Sequence, residues 1–278
     1  MLKTGGDGYC KSKEQKLMIY PDKQTEVNGL SGQTSRQRQN RKEIQKMIPY
    51  LSEKDARKAI IDIGKRVYQS GFVGANDGNI SCRINKDTIL VTPTGVSKGF
   101  MTEEIMVMMK LDGSIIGNGK PSSEVKMHLR AYRDNPEING VIHVHPPIST
   151  ACSVIGMSLD QPLVAEGILV TGNIPLAGYA KPGSEQVPES IAPFLKEYHG
   201  ALLERHGAIT WGSDVYQALY RMEAMEHQAK IMLYSLLLSK LTGNSIHRFS
   251  EEELDDLIQI RKNLGIATGG RPKHLIRK

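Results

Sequence analysis

Cysteine is scarce in this chain: Cys10, Cys82 and Cys152 are its three thiols, scattered without pairing spacing. Their spacing gives neither a disulfide framework nor a four-cysteine structural zinc site. No run of eighteen apolar residues occurs, so no segment has the composition of a membrane-spanning helix. The first residues, Met1-Leu-Lys-Thr-Gly-Gly6, contain no apolar signal core, and the expectation is a cytoplasmic protein with reduced thiols. Aromatic residues make up 5% of the chain and do not interleave with basic ones, which argues against a nucleic-acid surface. There is no P-loop, no dinucleotide glycine fingerprint and no internal repeat.

The net charge of +6 is a property of the ends. Nine basic and four acidic residues lie up to Lys42, and four basic residues with no acid lie from 267 onward, which leaves 43–266 three charges negative. We therefore expect a basic, loosely attached extension at 1–42, a catalytic domain at 43–266 and a basic tail at 267–278, with no nucleic-acid partner.

Within the central segment, patterns of both periods appear. Ser52-Glu-Lys-Asp55 offers a cap, followed by Ala56, Ala59, Ile60, Ile63 and Val67 at helical spacing up to Gly71. Strands are expected at Gly78–Ile84, Thr88–Thr92, Ile105–Leu111 and Ser114–Ile116, the last two joined by a turn at Asp112-Gly113. A helix capped by Ser122 or Ser123 should run to Asn135-Pro136, and a strand should carry Gly140–Pro146. Beyond it we expect a short helix over Ser149–Ile155, strands around Gly172 within Gln161–Leu176, and a helix over Gly183–Tyr198. A long helix is capped by Ser213-Asp214, and a last one covers Ser250–Leu264. The methionines and leucines of the long helix read as core. The fold class is α/β with mixed or antiparallel strands.

The chemistry concentrates in Pro121-Ser-Ser-Glu124, Ile142-His-Val-His-Pro146 and Glu204-Arg-His-Gly207. Side chains alternate along a strand, so His143 and His145 face the same way with Cα atoms about 6.6 Å apart, close enough to share one ion. His206, before a glycine, offers a third nitrogen. Three protein ligands with an open position describe a catalytic rather than a structural zinc site. Alone, His-x-His reads first as two ordinary polar residues on a solvated face; the glycine after His206 and the Pro-Ser-Ser-Glu helix start turn the reading toward a metal site. Three elements suit an anion: Gly74-Ala-Asn-Asp-Gly-Asn79, the loop Thr92-Pro-Thr-Gly95, and the helix start at Ser122-Ser123. Each alone reads as a plain turn; together, before a metal site, they point to a small phosphorylated substrate.

Gly78-Asn-Ile-Ser81, Thr92-Pro-Thr-Gly95, Pro121-Ser-Ser-Glu124, His143-Val-His145 and His206-Gly207, in this order, resemble the class II aldolase/adducin family over roughly residues 55–265. The resemblance implies a three-layer αβα domain around a largely antiparallel sheet and a cyclic homotetramer with sites between subunits. It implies one Zn²⁺ per subunit, with Mn²⁺ or Co²⁺ as substitutes, held by His143, His145, His206 and Glu124. Glu124 matches the family's acid/base carboxylate, and Asn76, Gly78, Asn79, Thr94, Gly95, Ser122 and Ser123 match its substrate-phosphate positions, with Asn76 standing where Thr is frequent. The implied reaction is aldol cleavage of a ketose 1-phosphate, L-fuculose 1-phosphate foremost, to dihydroxyacetone phosphate and lactaldehyde through a metal-stabilised enediolate. Glu166 falls where the aldolases carry a tyrosine lent by a neighbouring subunit; it reads either as a second catalytic acid/base or as a solvated loop carboxylate. The same platform also serves pentulose-phosphate 4-epimerases and methylthioribulose-1-phosphate dehydratases, and adducin-like heads use it as a non-catalytic scaffold.

Overall fold

Helix α1, Glu53–Gln69, begins where the side chain of Ser52 accepts a hydrogen bond from the Asp55 amide. It buries Ala56, Ala59, Ile60, Ile63 and Val67 along one stripe, and Gly71, with φ of 69°, turns the chain out of it. The structure is a computed structural model that describes residues 50–160, 163–266 and 268–269. The expected basic extension, and all of the basic tail but Thr268 and Gly269, lie outside the described residues.

These residues form one eight-stranded sheet from β1 (Asn79–Arg83), β2 (Thr88–Val91), β3 (Val107–Lys110), β4 (Ile115–Ile116), β5 (Gly140–Val144), β6 (Leu176–Ala177), β7 (Gly200–Leu203) and β8 (Gly207–Gly212). Their order is β4-β3-β2-β1-β5-β8-β7-β6, antiparallel throughout except for the parallel β6–β7 pair. In the middle, Asn79 of β1 pairs with His143 of β5, which pairs on its other side with Ile209 of β8. Strand β5 is buried along its whole length, which is why it reads Val-Ile-His-Val with no solvent-facing residue.

Alternation divides these strands into two faces. Ile80, Cys82, Ile142, Val144, Leu202 and Ala208 pack on one side with α1, α3 (Pro147–Val154) and α5 (Val215–Thr242). Ile89, Val91, Val141, Ala201, Leu203, Ile209 and Trp211 pack on the other with α2 (Val125–Asp134) and α4 (Gln186–Ile191). Each fully buried aliphatic side chain contributes about 1.5–3 kcal/mol relative to exposure, so two such layers hold the sheet from both sides. A final helix, α6 (Glu251–Asn263), carries a complete capping box between Ser250 and Glu253. No helix among the described residues is long and apolar enough to cross a membrane.

Three sequence expectations are corrected. The described part of Gln161–Leu176 is mostly not strand: Gly167–Thr171 winds as a π-helical turn, and only an isolated Leu159–Ile174 bridge and two-residue β6 are extended. Side chains from elsewhere satisfy that turn, as Arg261 of α6 donates to the carbonyls of Ile168 and Leu169 while Gln228 of α5 bonds Thr171. A β-branched run can be helical when distant groups complete its hydrogen bonding. The expected helix over Gly183–Tyr198 is short α4 followed by a 3₁₀ turn, Ala192–Phe194, because Pro193 lacks an amide proton to continue the ladder. Neither Ser122 nor Ser123 caps α2; Glu124 holds that position, and its amide donates to Ser122 Oγ at 3.3 Å.

Candidate metal centre

The end of β5 sets two of the three histidines. His143 is fully buried, and its Nδ1 donates to the Ala208 carbonyl of β8 at 2.9 Å, which leaves the Nε2 lone pair facing outward from that bond. One step past the strand, the His145 amide donates to the Phe72 carbonyl at 2.8 Å, keeping the backbone extended and the second imidazole on the face of the first. The two Nε2 atoms lie 3.2 Å apart, and the Asp77 carboxylate stands 3.5 Å from His145 Nδ1. His206 arrives from the tight turn between β7 and β8, where Arg205 adopts φ of 55°. Ring centroids of the three imidazoles are 4.8–5.3 Å apart.

Two glycines make this approach possible. A Cβ on Gly207 would sit 2.5 Å from His145 Cδ2 and 2.8 Å from the Val144 carbonyl oxygen. Gly78, at φ of 76°, would press a Cβ against Val73, Val144 and the His143 carbonyl at 2.9–3.0 Å. The glycine after His206 is thus a steric condition for the neighbouring ring.

Glu124, at the start of α2, closes the cluster. Its Oε1 is 3.0 Å from His206 Nε2 and its Oε2 is 3.3 Å from His143 Nε2, while Oε2 also accepts from Asn79 Nδ2 at 3.1 Å. Burial opposes its ionisation, yet His143 and His206 hold its pKa well below the usual carboxylate range. Its Oε1 is buried, with no hydrogen-bond partner besides the His206 imidazole. An ionised oxygen in that state is costly unless a cation or proton meets it.

The donor set fits a divalent ion. Among the described residues, His143, His145 and His206 bring one ligand atom each to within 4.8 Å of the others. Two nitrogens that share a tetrahedral zinc at ~2.0–2.1 Å are ~3.3 Å apart, close to the spacing of the His143 and His145 Nε2 atoms. Burial and the neighbouring imidazoles pull the His145 pKa down to about 4, so this ring is neutral at pH 7, the form that metal ligation requires.

The three anion-friendly elements are joined to this cluster. Buried Lys98 donates to the carbonyls of Asn76 at 3.1 Å and Val96 at 2.7 Å, tying the Gly74–Asn79 loop to the segment after Gly95. An isolated bridge between Pro93 and Pro121, with Ser122 N donating to the Thr92 carbonyl, sets the Thr92–Gly95 loop against Ser122 and Ser123. Asn79 and Ser122 are buried, whereas Asn76, Thr94, Gly95 and Ser123 are exposed. Asp77 N–H is spent on the Gly74 carbonyl and Thr94 N–H on the Lys120 carbonyl, so the Gly74–Asn79 and Thr92–Gly95 loops each offer fewer free amides than their composition implies. Burial draws the Lys98 pKa down to about 8, with Asp77 pulling it back up.

Glu166 stands apart. It is exposed at the head of the π-helical turn, and no hydrogen bond or ion pair joins it to the three histidines among the described residues. Three residues that touch the site were not read from the sequence: Asp77, Lys98 and His128. Only His128 had a local signal, since it falls one helical turn after Glu124 on the same face.

Residues 58–233 match the family model described as Class II Aldolase and Adducin N-terminal domain. The chain is 35% identical over 184 residues to an L-fuculose phosphate aldolase of Methanocaldococcus jannaschii, covering 66% of this chain and 99% of that one. It is 30% identical over 203 residues to a 3-oxo-tetronate 4-phosphate decarboxylase of Haemophilus influenzae, covering 71% and 93%. The fold is similar to the crystal structure of YgbL from Escherichia coli, with a TM-score of 0.68 and 28% identity over 74% of this chain and 98% of that one. With the matched segment spanning all eight strands and all three histidines, the chain belongs to the class II aldolase/adducin family.

Proposed function

We propose that this chain is a divalent-metal-dependent carbon–carbon lyase acting on a small phosphorylated sugar, and that the reaction is aldol cleavage of a ketose 1-phosphate, with L-fuculose 1-phosphate as the leading substrate. The observation that carries the reading is the set of three imidazoles with one ligand atom each within 4.8 Å of the others, beside the buried Oε1 of Glu124 that lies 3.0 Å from His206 Nε2. We assign the activity to residues 43–266 and the ion to His143, His145 and His206, with Glu124 beside it; Zn²⁺ suits this set best, and Mn²⁺ or Co²⁺ could substitute. The bound ion supplies Lewis-acid charge where negative charge develops on the substrate oxygens.

Asn76, Gly78, Asn79, Thr94, Gly95, Ser122 and Ser123 bind the phosphate in this reading, with Lys98 fixing the first loop beneath it. As the C3–C4 bond breaks, the C4 hydroxyl loses its proton, and the bonding pair passes to C3 and the adjacent ketone. Glu124, protonated from solvent once substrate is bound, delivers the proton that C3 takes up, and the proton taken from the C4 hydroxyl returns to solvent after product release. Glu166, brought by a neighbouring copy in a homotetramer, is the acceptor proposed for the C4 hydroxyl proton.

A second reading has a specific support in the decarboxylase relative. Loss of CO₂ from a 3-oxo-tetronate 4-phosphate also breaks a bond beside a ketone and leaves the electron pair on a hydroxyl-bearing carbon, and protonation again gives dihydroxyacetone phosphate. The reactions part at the leaving group: an aldehyde must shed a hydroxyl proton, and CO₂ needs no such acceptor. The test therefore measures metal content, and aldehyde and CO₂ as well as dihydroxyacetone phosphate, from both substrates with wild type, Glu124→Gln and His143→Ala. Aldehyde release lost in both variants supports the aldolase. CO₂ release from the tetronate alone replaces it with the decarboxylase, turnover of neither substrate with metal bound turns attention to epimerisation or dehydration, and absence of metal favours an adducin-like scaffold.

A further inference from the structure

Behind Glu124 runs a line of polar side chains in what is otherwise the apolar layer between the sheet and α2. Asn79 and Tyr132 are each 1% exposed, and Ser81 and His128 are fully buried. Asn79 Nδ2 donates to Glu124 Oε2 at 3.1 Å, His128 Nε2 meets Asn79 Oδ1 at 2.5 Å, His128 Nδ1 meets Ser81 Oγ at 2.7 Å, and Ser81 Oγ meets Tyr132 Oη at 2.7 Å.

We infer that His128, Ser81 and Tyr132 are positioning residues: their hydrogen-bond chain fixes which end of the Asn79 amide meets Glu124, and so holds the carboxylate with Oε1 toward the histidine cluster.

The orientation of the Asn79 amide sets the direction of every link, with its NH₂ toward the Glu124 carboxyl oxygen and its carbonyl toward His128. That carbonyl requires a donor, which fixes the Nε2–H tautomer. Neutral imidazole then has a lone pair at Nδ1, which takes the Ser81 hydroxyl proton, and the Ser81 oxygen in turn takes the Tyr132 proton. The Val141 backbone supplies a further hydrogen bond to the Tyr132 oxygen. Reversing any one link would set two donors or two lone pairs face to face in the core, where neither could be satisfied by water. Burial pushes the His128 pKa down to about 3, so protonation does not interrupt the chain at neutral pH. With Oε2 tethered in this way, Oε1 is the oxygen left for the site. The consequence for turnover rests on the role proposed above for Glu124; the tautomer does not.

Two measurements on the full-length protein test this. Long-range ¹H–¹⁵N spectra, with and without zinc, should show His128 as the Nε2–H tautomer from neutral to mildly acidic pH; an Nδ1–H ring or an exchanging mixture would overturn the inference. In zinc-loaded enzyme, His128→Leu should lower kcat roughly 10–100-fold, the range for residues that orient a metal site's ligands, with KM and zinc stoichiometry held. His128→Gln, whose amide N–H₂ can stand where Nε2–H stood, should restore most of that loss. Tyr132→Phe, two links farther, should cost roughly tenfold or less. Unchanged kcat in His128→Leu, or no recovery in His128→Gln, would reduce the chain to core packing. If His128→Leu fails to fold, the His128→Gln and Tyr132→Phe pair and the tautomer carry the test. If no substrate is turned over even by wild type, the proposed function fails, and the tautomer alone upholds or rejects the chain.

Discussion

The two faces of β1, β5 and β8 are built from alternate residues of the same strands, yet they do opposite things. One face offers Ile80, Cys82, Ile142, Val144 and Ala208 to α1, α3 and α5, and its packing is apolar. The other offers Asn79, Ser81 and His143 toward α2, and each of these has a specific partner. The first face can hold the sheet without regard to hydrogen-bond direction. The second is stable only while every donor meets an acceptor, since one unpaired buried group costs about as much as a typical point mutation. The polar chemistry therefore occupies one side of the sheet, set among apolar residues such as Val141, Ile209 and Trp211, whereas the other side of these strands is apolar alone.

The comparison breaks most visibly at His143. His143→Ala removes a ligand and the donor to Ala208, and activity should fall by more than the ~10–100-fold of an outer residue, with metal content dropping toward none. Because the Ala208 carbonyl loses its buried donor, the metal-free variant should also unfold about 1–3 kcal/mol more easily than metal-free wild type. A collapse of folding together with metal loss would show that the two faces are not separable.

One residue away, Ile142→Ala addresses the other side. Fully buried, Ile142 leaves a cavity when truncated, and urea unfolding should report a loss of about 2–5 kcal/mol. Without denaturant, metal stoichiometry and KM should hold. Weakened metal binding in this variant would mean that the packed face sets the histidine geometry as well.

Acid separates the faces in another way. Buried His128 and His199 have pKa values pulled down to about 3 and about 2, against 6.5 for an unperturbed ring. Below pH 6.5 the unfolded chain binds protons that the folded rings refuse, so stability rises with pH across that window and is lost on acidification. Each ring contributes at most about 1.4 kcal/mol per pH unit to the slope. His128→Gln should flatten the dependence of unfolding free energy on pH by up to that amount between pH 6.5 and about 3, and an unchanged slope would mean that His128 titrates in the folded state as it does in the unfolded chain.

What was legible in advance follows the same division. The alternation of β5 placed His143 and His145 together, and the caps at Ser52, Asp214 and Ser250 fixed the starts of α1, α5 and α6, because these depend on neighbours in the chain. The π-helical turn at Gly167–Thr171 was unreadable, since its carbonyls are completed by Arg261 from a helix more than ninety residues on. The buried chain behind Glu124 was missed for a like reason: Ser81 comes from β1 and His128 from α2, and only folding makes them neighbours. Local periodicity gives positions on a face; hydrogen-bond partners across layers have no local signature.

Gly207 tests the finest part of the comparison, because it faces the histidines from a strand whose other residues are ordinary sheet. Gly207→Ala adds one methyl group, 2.5 Å from His145 Cδ2 and 2.8 Å from the Val144 carbonyl. The backbone contact cannot give way cheaply, so the His145 ring must move or β8 must shift, at a cost of about 1–3 kcal/mol. If the ring moves, zinc affinity should weaken by about tenfold, equivalent to ~1.4 kcal/mol, with little change in unfolding free energy of the metal-free protein. If β8 shifts instead, the metal-free protein should be the one that loses stability. Competition against a chelator, measured beside urea unfolding without metal, tells which side of the sheet absorbs a single methyl group.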